Sequence, residues 1–439
     1  MRAGRRLAAA LLAGALLSAP RLAPGQPSAD EVRAARLDNG LTVIVRENPV
    51  APVVAIALLL RMGSRWETAA NAGISNFTHA VMVKGTTRRS GAELAATVAA
   101  LGGKISAAGD VDYSGIQATA LARFWRQLLA LTAELALEPR LAPEEVDRER
   151  DWLVSRVQRR HDNAPSRAFD ELYAAVYGPH PYALPSLGTR ESLGRIDHAA
   201  LVRWYRAFYR PERMTLVVSG QVSSTEVLAE ARHLFGAAAG AALPPDPPLA
   251  PPRAAGGRVV VEAPAQQTQI LAGGLAPPLD HPDHAAVKVL STILGGGMAG
   301  RLFVELRDRS ALAYTAASYY DPVREPGLLV LYLGTAPQNS ARAEQALRQE
   351  VEKIQAVPVP AAELARAKGY LLGRYAMDRR TNERLAWHLA FHEVQSVGRA
   401  YPERFRGRVE AVTADDVQRV ARRYLATLTT IVLGPAERR

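Results

Sequence analysis

Ala72-Gly73-Ile74-Ser75-Asn76-Phe77-Thr78-His79-Ala80-Val81-Met82-Val83-Lys84-Gly85-Thr86 is the stretch around which this 439-residue chain is organised. Its apolar residues, Ile74, Phe77, Ala80, Val81 and Val83, recur at three- and four-residue steps. That is the period of a mostly buried helix. Gly85-Thr86-Thr87 stops it. Asn76, His79 and Ala80 fall at i, i+3 and i+4, and so share one face.

The spacing and setting resemble the inverted zinc motif H-x-x-E-H of the pitrilysin/insulinase family of zinc peptidases, found there as G-L-x-H-F-x-E-H-x-x-F-K-G-T. In that family two histidines one turn apart hold the metal, and the glutamate between them activates water. Laid on this chain, the histidine positions are Asn76 and Ala80, and the glutamate position is His79. The surroundings are kept in Gly73, Phe77, Lys84, Gly85 and Thr86. The family's third ligand lies in a helix reading E-R-x-x-x-x-x-E. Here that helix runs Glu149-Arg150 to Arg156, with Arg156 at the ligand position. Asn, Ala and Arg make no zinc site, since Arg has no lone pair to give. His79 alone is expected to be a helix histidine satisfied by a carbonyl or water. The resemblance thus implies a zinc-less chain with a degenerate motif.

Composition bounds the rest. Hydrophobic residues make up 48% of the chain, enough for sizeable cores. There is no cysteine, so disulfides and thiolate chemistry are excluded. Residues 1–25 read as a secretory signal, with Arg2, Arg5 and Arg6 before the apolar run Leu7 to Leu17 and cleavage near Gly25. The expectation is an exported, periplasmic protein. No later segment reaches the length of a membrane span. The formal charge is +11, with the basic residues scattered and no aromatic-interleaved stripe, so nucleic acid is not an expected partner.

Along the chain, an Asn39-Gly40 turn leads a strand over residues 37–45, and Val53 to Arg61 is a near-continuous apolar strand, as for a sheet with helices on one face. Ser90 caps a helix from Ala92 to Leu101, and Pro143 opens the long Glu149 helix. Residues 237–257 form a Pro/Ala/Gly-rich linker. The second half then repeats the first. Val146-Asp147-Arg148 to Arg156 matches Leu364-Ala365-Arg366 to Arg374 at an offset of 218, and Leu201 to Phe208 matches Val417 to Tyr424 at 216. The fold class is α+β, with two homologous units at 33–236 and 258–437. The resemblance implies two α/β-sandwich domains facing each other as a clamshell.

Residues Gly295-Gly296-Gly297-Met298-Ala299-Gly300 form a glycine loop before a helix, a tight turn and not a phosphate loop. Beyond it, Arg307 and Tyr314 resemble the family's Arg/Tyr pair, which reaches the substrate peptide beside the metal. Arg offers a fork of donors to a peptide carbonyl, and a Tyr hydroxyl can donate to a forming oxyanion. By their residues alone, Arg307 could instead pair with a neighbouring acid and Tyr314 could open a strand against the core. His388 and His392 stand at i, i+4 with no third ligand suggested. His281 and His284 read as an exposed turn and helix start.

Some members of the family work as two different subunits, one bearing zinc and one not, as in mitochondrial processing peptidase. The resemblance implies that this chain is the zinc-less subunit, inactive alone, binding no cofactor itself. It would lend Arg307 and Tyr314 to a zinc-bearing homologous partner that acts on unfolded peptides held by strand addition. The alternative is a peptide-binding or scaffold protein with no proteolytic role, since core subunits of respiratory complex III resemble the family. Independent activity with relocated ligands is a third reading.

Overall fold

The computed structural model describes residues 32–238, 246–252, 256–321 and 323–436. The expected signal at 1–25 lies outside them, as does part of the linker. Among the described residues, no helix is long and apolar enough to cross a membrane.

Two mixed sheets carry the fold. The first contains β1 (Val32–Arg36), β2 (Thr42–Glu47), β3 (Val53–Leu60), β4 (Lys104–Gly109), β5 (Ser114–Leu121) and β6 (Met214–Gly220). Their order is β1-β2-β6-β3-β5-β4. The second contains β7 (Gly257–Glu262), β8 (Thr268–Ala276), β9 (Thr315–Asp321), β10 (Gly327–Thr335) and β11 (Thr429–Gly434), in the order β7-β11-β8-β10-β9. Each sheet has one parallel pair, β2 with β6 and β7 with β11. The two orders are the same topology, with β1 added at one edge of the first sheet. Helices keep the repeat: Pro143–Asp162 and Ala164–Tyr177 correspond to Ala361–Asp378 and Asn382–Val394 at an offset of 218 residues.

Two readings of the sequence are corrected. Residues 37–41 are not strand: Asp38, Asn39 and Gly40 turn between β1 and β2, with Gly40 at φ +87°. The edge strand β1, which pairs antiparallel with β2, carries too little apolar signal to be read alone. Strand β3 is not covered on one face only. Its Val54, Ile56, Leu58 and Leu60 pack on the first half's own helices, while Ala55, Ala57 and Leu59 meet Ala386, Leu389 and Ala390 of the second half. A strand buried on both faces needs a continuous apolar run.

The cover is reciprocal. Helix Ala164–Tyr177 leaves the first half, and its Ala168, Leu172 and Val176 pack against Leu271, Val330 and Ile431 of the second sheet. Helix Asn382–Val394 does the same in reverse. Polar links follow the seam. Tyr177 Oη donates to the Pro326 carbonyl at 2.9 Å. Buried Arg65 pairs with Glu325 at 2.7 Å, and Asp112 accepts from Tyr182 Oη at 2.6 Å and from the Arg324 N–H at 2.9 Å.

Candidate functional site

The helix that carries the motif runs Ile74–Met82. Glu67 holds its entry: one carboxylate oxygen accepts the Gly73 N–H at 2.7 Å and the other the Ser75 N–H at 3.0 Å. These are N-terminal donors with no partner inside the helix. Burial pushes the Glu67 carboxyl above its ordinary range, against those hydrogen bonds. Gly73 sits at φ +87°, with the backbone of Gly188 2.6 Å from where a Cβ would stand. Only glycine fits there.

On this helix, His79 is fully buried. Its Nδ1 lies 2.6 Å from the Ser75 carbonyl oxygen and its Nε2 2.7 Å from Tyr209 Oη. A carbonyl only accepts, so Nδ1 carries the proton and Nε2 accepts from the phenol. Burial holds the imidazole neutral, with its pKa lowered to about 4. The sequence-based expectation of a satisfied histidine agrees with these contacts. Asn76 and Ala80 are half-buried. The Asn76 amide donates to the Ser186 carbonyl at 2.6 Å and accepts the Gly109 N–H of β4 at 3.1 Å. The helix is thereby tied to the edge strand of the first sheet.

Helix Pro143–Asp162 packs beside it. Glu149 pairs with Lys84 at 2.6 Å, and the Arg150 guanidinium lies 5.9 Å from the Phe77 ring centroid. Arg156 is half-buried and lies over the Trp152 ring at 4.8 Å. The ligand positions that the resemblance assigns therefore hold one amide engaged with backbone, one methyl and one guanidinium. Zinc is held by imidazole, thiolate or carboxylate lone pairs, and these residues do not fit it. Among the described residues, no group of three His, Cys, Asp or Glu side chains gathers to hold a metal.

The Arg307 segment differs in kind. Residues Phe303–Arg309 wind as a π-helix, a local geometry often found at functional positions. Arg307 is exposed, lying over the Phe303 ring at 4.6 Å. The chain then turns through Ala311 at φ +50°, and the Tyr314 N–H joins the Gly334 carbonyl at 2.8 Å as β9 begins. Tyr314 is 63% exposed, so it is not a core residue at the strand start. The preceding glycine loop is structural. A Cβ on Gly295 would stand 2.1 Å from the Ser318 nitrogen, so the glycine lets its helix close on β9. His284 is corrected as well. It opens helix His284–Gly295 as expected, but it is buried, with Nδ1 3.1 Å from Tyr320 Oη.

Residues 42–190 match the family described as Insulinase (Peptidase family M16), and residues 195–371 match its Peptidase M16 inactive domain. An uncharacterized zinc protease of Mycobacterium leprae is 30% identical over 344 residues, 77% of this chain and 76% of that protein. The chain belongs to the insulinase family of peptidases. A protease from Helicobacter pylori shares the fold at TM-score 0.88 and 21% identity, over 92% of this chain and all of that one. A chain of Complex III2 from Candida albicans matches at TM-score 0.79 and 18% identity, over 92% of this chain and 96% of that one. For this insulinase-family chain, the sequence marked helix Ile74–Met82 and the Arg307 segment as candidates. It missed Glu67 and Tyr209, which reach the motif only through the fold. The one signal for either was a carboxylate six residues before Gly73, near a helix start.

Proposed function

We propose that this insulinase-family chain is the zinc-less, substrate-holding subunit of an exported heteromeric peptidase, working with a zinc-bearing homologous partner on peptides or unfolded proteins. One observation carries the reading. The ligand positions hold Asn76, Ala80 and Arg156, while Arg307 and Tyr314 remain exposed and unabsorbed by the core. A chain that had lost its role altogether would have no reason to keep both side chains presented. Zinc and its bound water belong to the partner. Arg307 donates to a peptide carbonyl, and the Tyr314 hydroxyl donates to the oxygen that gains charge during cleavage. The peptide lies along β4, the outer strand of its sheet, whose exposure alternates residue by residue. Such an edge offers unpaired backbone groups to an added strand. The basic balance of the chain suits acidic peptides or anionic surfaces. An exported location accords with the signal-like N-terminus.

A second reading, a peptide-binding or scaffold subunit without proteolysis, is supported by the fold likeness to a chain of Complex III2. Mixing the zinc-bearing homologue with this chain separates the two. The first reading predicts cleavage of an unfolded peptide that needs both chains and falls about 100-fold on Arg307→Ala, with assembly unchanged. Assembly without cleavage in every pairing favours the scaffold.

A further inference from the structure

The internal repeat leaves one strand position unfilled. Strands β2, β6, β3, β5 and β4 of the first sheet match β7, β11, β8, β10 and β9 of the second, in the same order. In the first sheet the outer edge of β2 is covered by β1, paired antiparallel over Val32–Arg36. The counterpart of β2 is β7. It pairs in parallel with β11 along all of Gly257–Glu262, and among the described residues no strand lies on its other side. The stretch at the equivalent distance before β7 is Pro247-Pro248-Leu249-Ala250-Pro251, and it forms no strand. Proline has no N–H to give to a ladder, so this stretch is ill suited to cover β7 as β1 covers β2.

An open edge is ordinarily blunted by charge. Strand β1 carries Arg33 and Arg36, and β4 carries Lys104. Strand β7 instead reads Gly257-Arg258-Val259-Val260-Val261-Glu262, with three β-branched residues in a row. Val260 is 58% exposed and Val259 40%. Of the three, only Val261 packs inward, on the cluster that holds Ala168 and Leu172.

The strand is complementary to itself. Two copies laid antiparallel, about a twofold axis at Val260 and normal to the sheet, set Val260 opposite Val260. Val259 then stands opposite Val261, and Arg258 opposite Glu262. Directly opposed residues of an antiparallel pair share a face and interact, so a cation meets an anion at both ends with valines between. Any slip in register breaks the Arg258–Glu262 match, and a slip of one residue also turns the side chains to the wrong face. Both ends are available. Arg258 gives its Nε to Glu344 at 3.1 Å, yet 48% of its side chain remains exposed. Glu262 is exposed.

We propose that the β7 edge is a self-association surface, through which two copies of this chain join their second sheets into one continuous sheet. This goes beyond the proposed function and does not rest on it. Tyr314 precedes β9, at the opposite edge of the same sheet, and β4 belongs to the other sheet. Pairing through β7 therefore leaves both edges assigned to the peptide open.

The test is sedimentation velocity of the full chain. The formal charge of +11 opposes association at low salt, so physiological ionic strength is used. The interface is small, so association is read at about 1–100 µM. The parent chain shows a monomer–dimer equilibrium. Val260→Lys and Val260→Glu each weaken the dimer about tenfold, because each sets like charges face to face on the axis. Mixed in equal amounts the two variants regain it, since lysine then faces glutamate. Val260 is a surface position, where substitutions are usually tolerated. If either variant fails to fold, Val260→Cys decides. The chain has no cysteine, and mild oxidation should link Val260→Cys into dimers faster than Val50→Cys, a change at a site exposed elsewhere. A parent chain monomeric throughout this range, a dimer indifferent to both charges, variants that stay monomeric when mixed, or equal linking at both cysteines would overturn the proposal. A monomeric chain that captures an unfolded peptide, and loses it on Val260→Lys, would give the edge to a peptide and overturn self-pairing equally.

Discussion

The resemblance places His79 at the position of the family's glutamate, and the structure builds it into the core. Both ring nitrogens are engaged, one by the Ser75 carbonyl and one by the Tyr209 hydroxyl. Removing the ring strands two buried polar groups and opens a void, so His79→Ala should cost about 3 kcal/mol or more in stability. Tyr209→Phe strands only the Nε2 lone pair and should cost about 1–2 kcal/mol. A double-mutant cycle by urea denaturation should return a coupling of about 1 kcal/mol or more, and strict additivity would contradict the contact. At this scale the sequence told the residue types but not their partners. Tyr209 is 130 positions from His79, and no local pattern links them. Asn76, Ala80 and Arg156 were legible as chemically empty because their side chains carry that fact unaided.

Among elements, the two helices that cross between halves matter most. The repeat legible in the sequence, Val146 to Arg156 against Leu364 to Arg374, stops short of both Ala164–Tyr177 and Asn382–Val394. That each covers the other half's sheet was not legible either, because periodicity says which face is apolar and not what meets it. The near-continuous apolar run of β3 carried the hint: a strand with one wet face would alternate. Leu172 is fully buried on this seam, and its methyl carbon lies 2.8 Å from where a Cβ on Gly273 would stand. Leu172→Ala should therefore cost about 2–5 kcal/mol. It should lower a single unfolding transition shared by both halves, as seen by calorimetry. Two separated transitions, with only one moved, would show that the halves fold independently.

Over the whole molecule, buried imidazoles set the response to acid. His79 and His388 have pKa values lowered to about 4, His392 to about 3, and His284 well below the ordinary 6.5, all by burial first. Between pH 6.5 and 4 the unfolded chain binds protons at these positions and the folded chain does not. Stability is then complete above 6.5 and falls with acid, by on the order of 1.4 kcal/mol per pH unit for each group. His180 is buried and lowered as well, so the two carboxyls that pull the other way, Glu67 and Asp112, both raised by burial, oppose five imidazoles. Urea midpoints should drop steeply from pH 6.5 to 4, and a flat profile would contradict the buried neutral state. The same scale holds the central claim, that substrate contacts and metal reside on different chains. The direct measurement is zinc content and peptide cleavage for the purified chain alone and for its mixture with a zinc-bearing homologue. The account predicts a zinc-free, silent chain and a mixture that cuts only while Arg307 is intact. A chain that holds stoichiometric zinc and cuts by itself would contradict it.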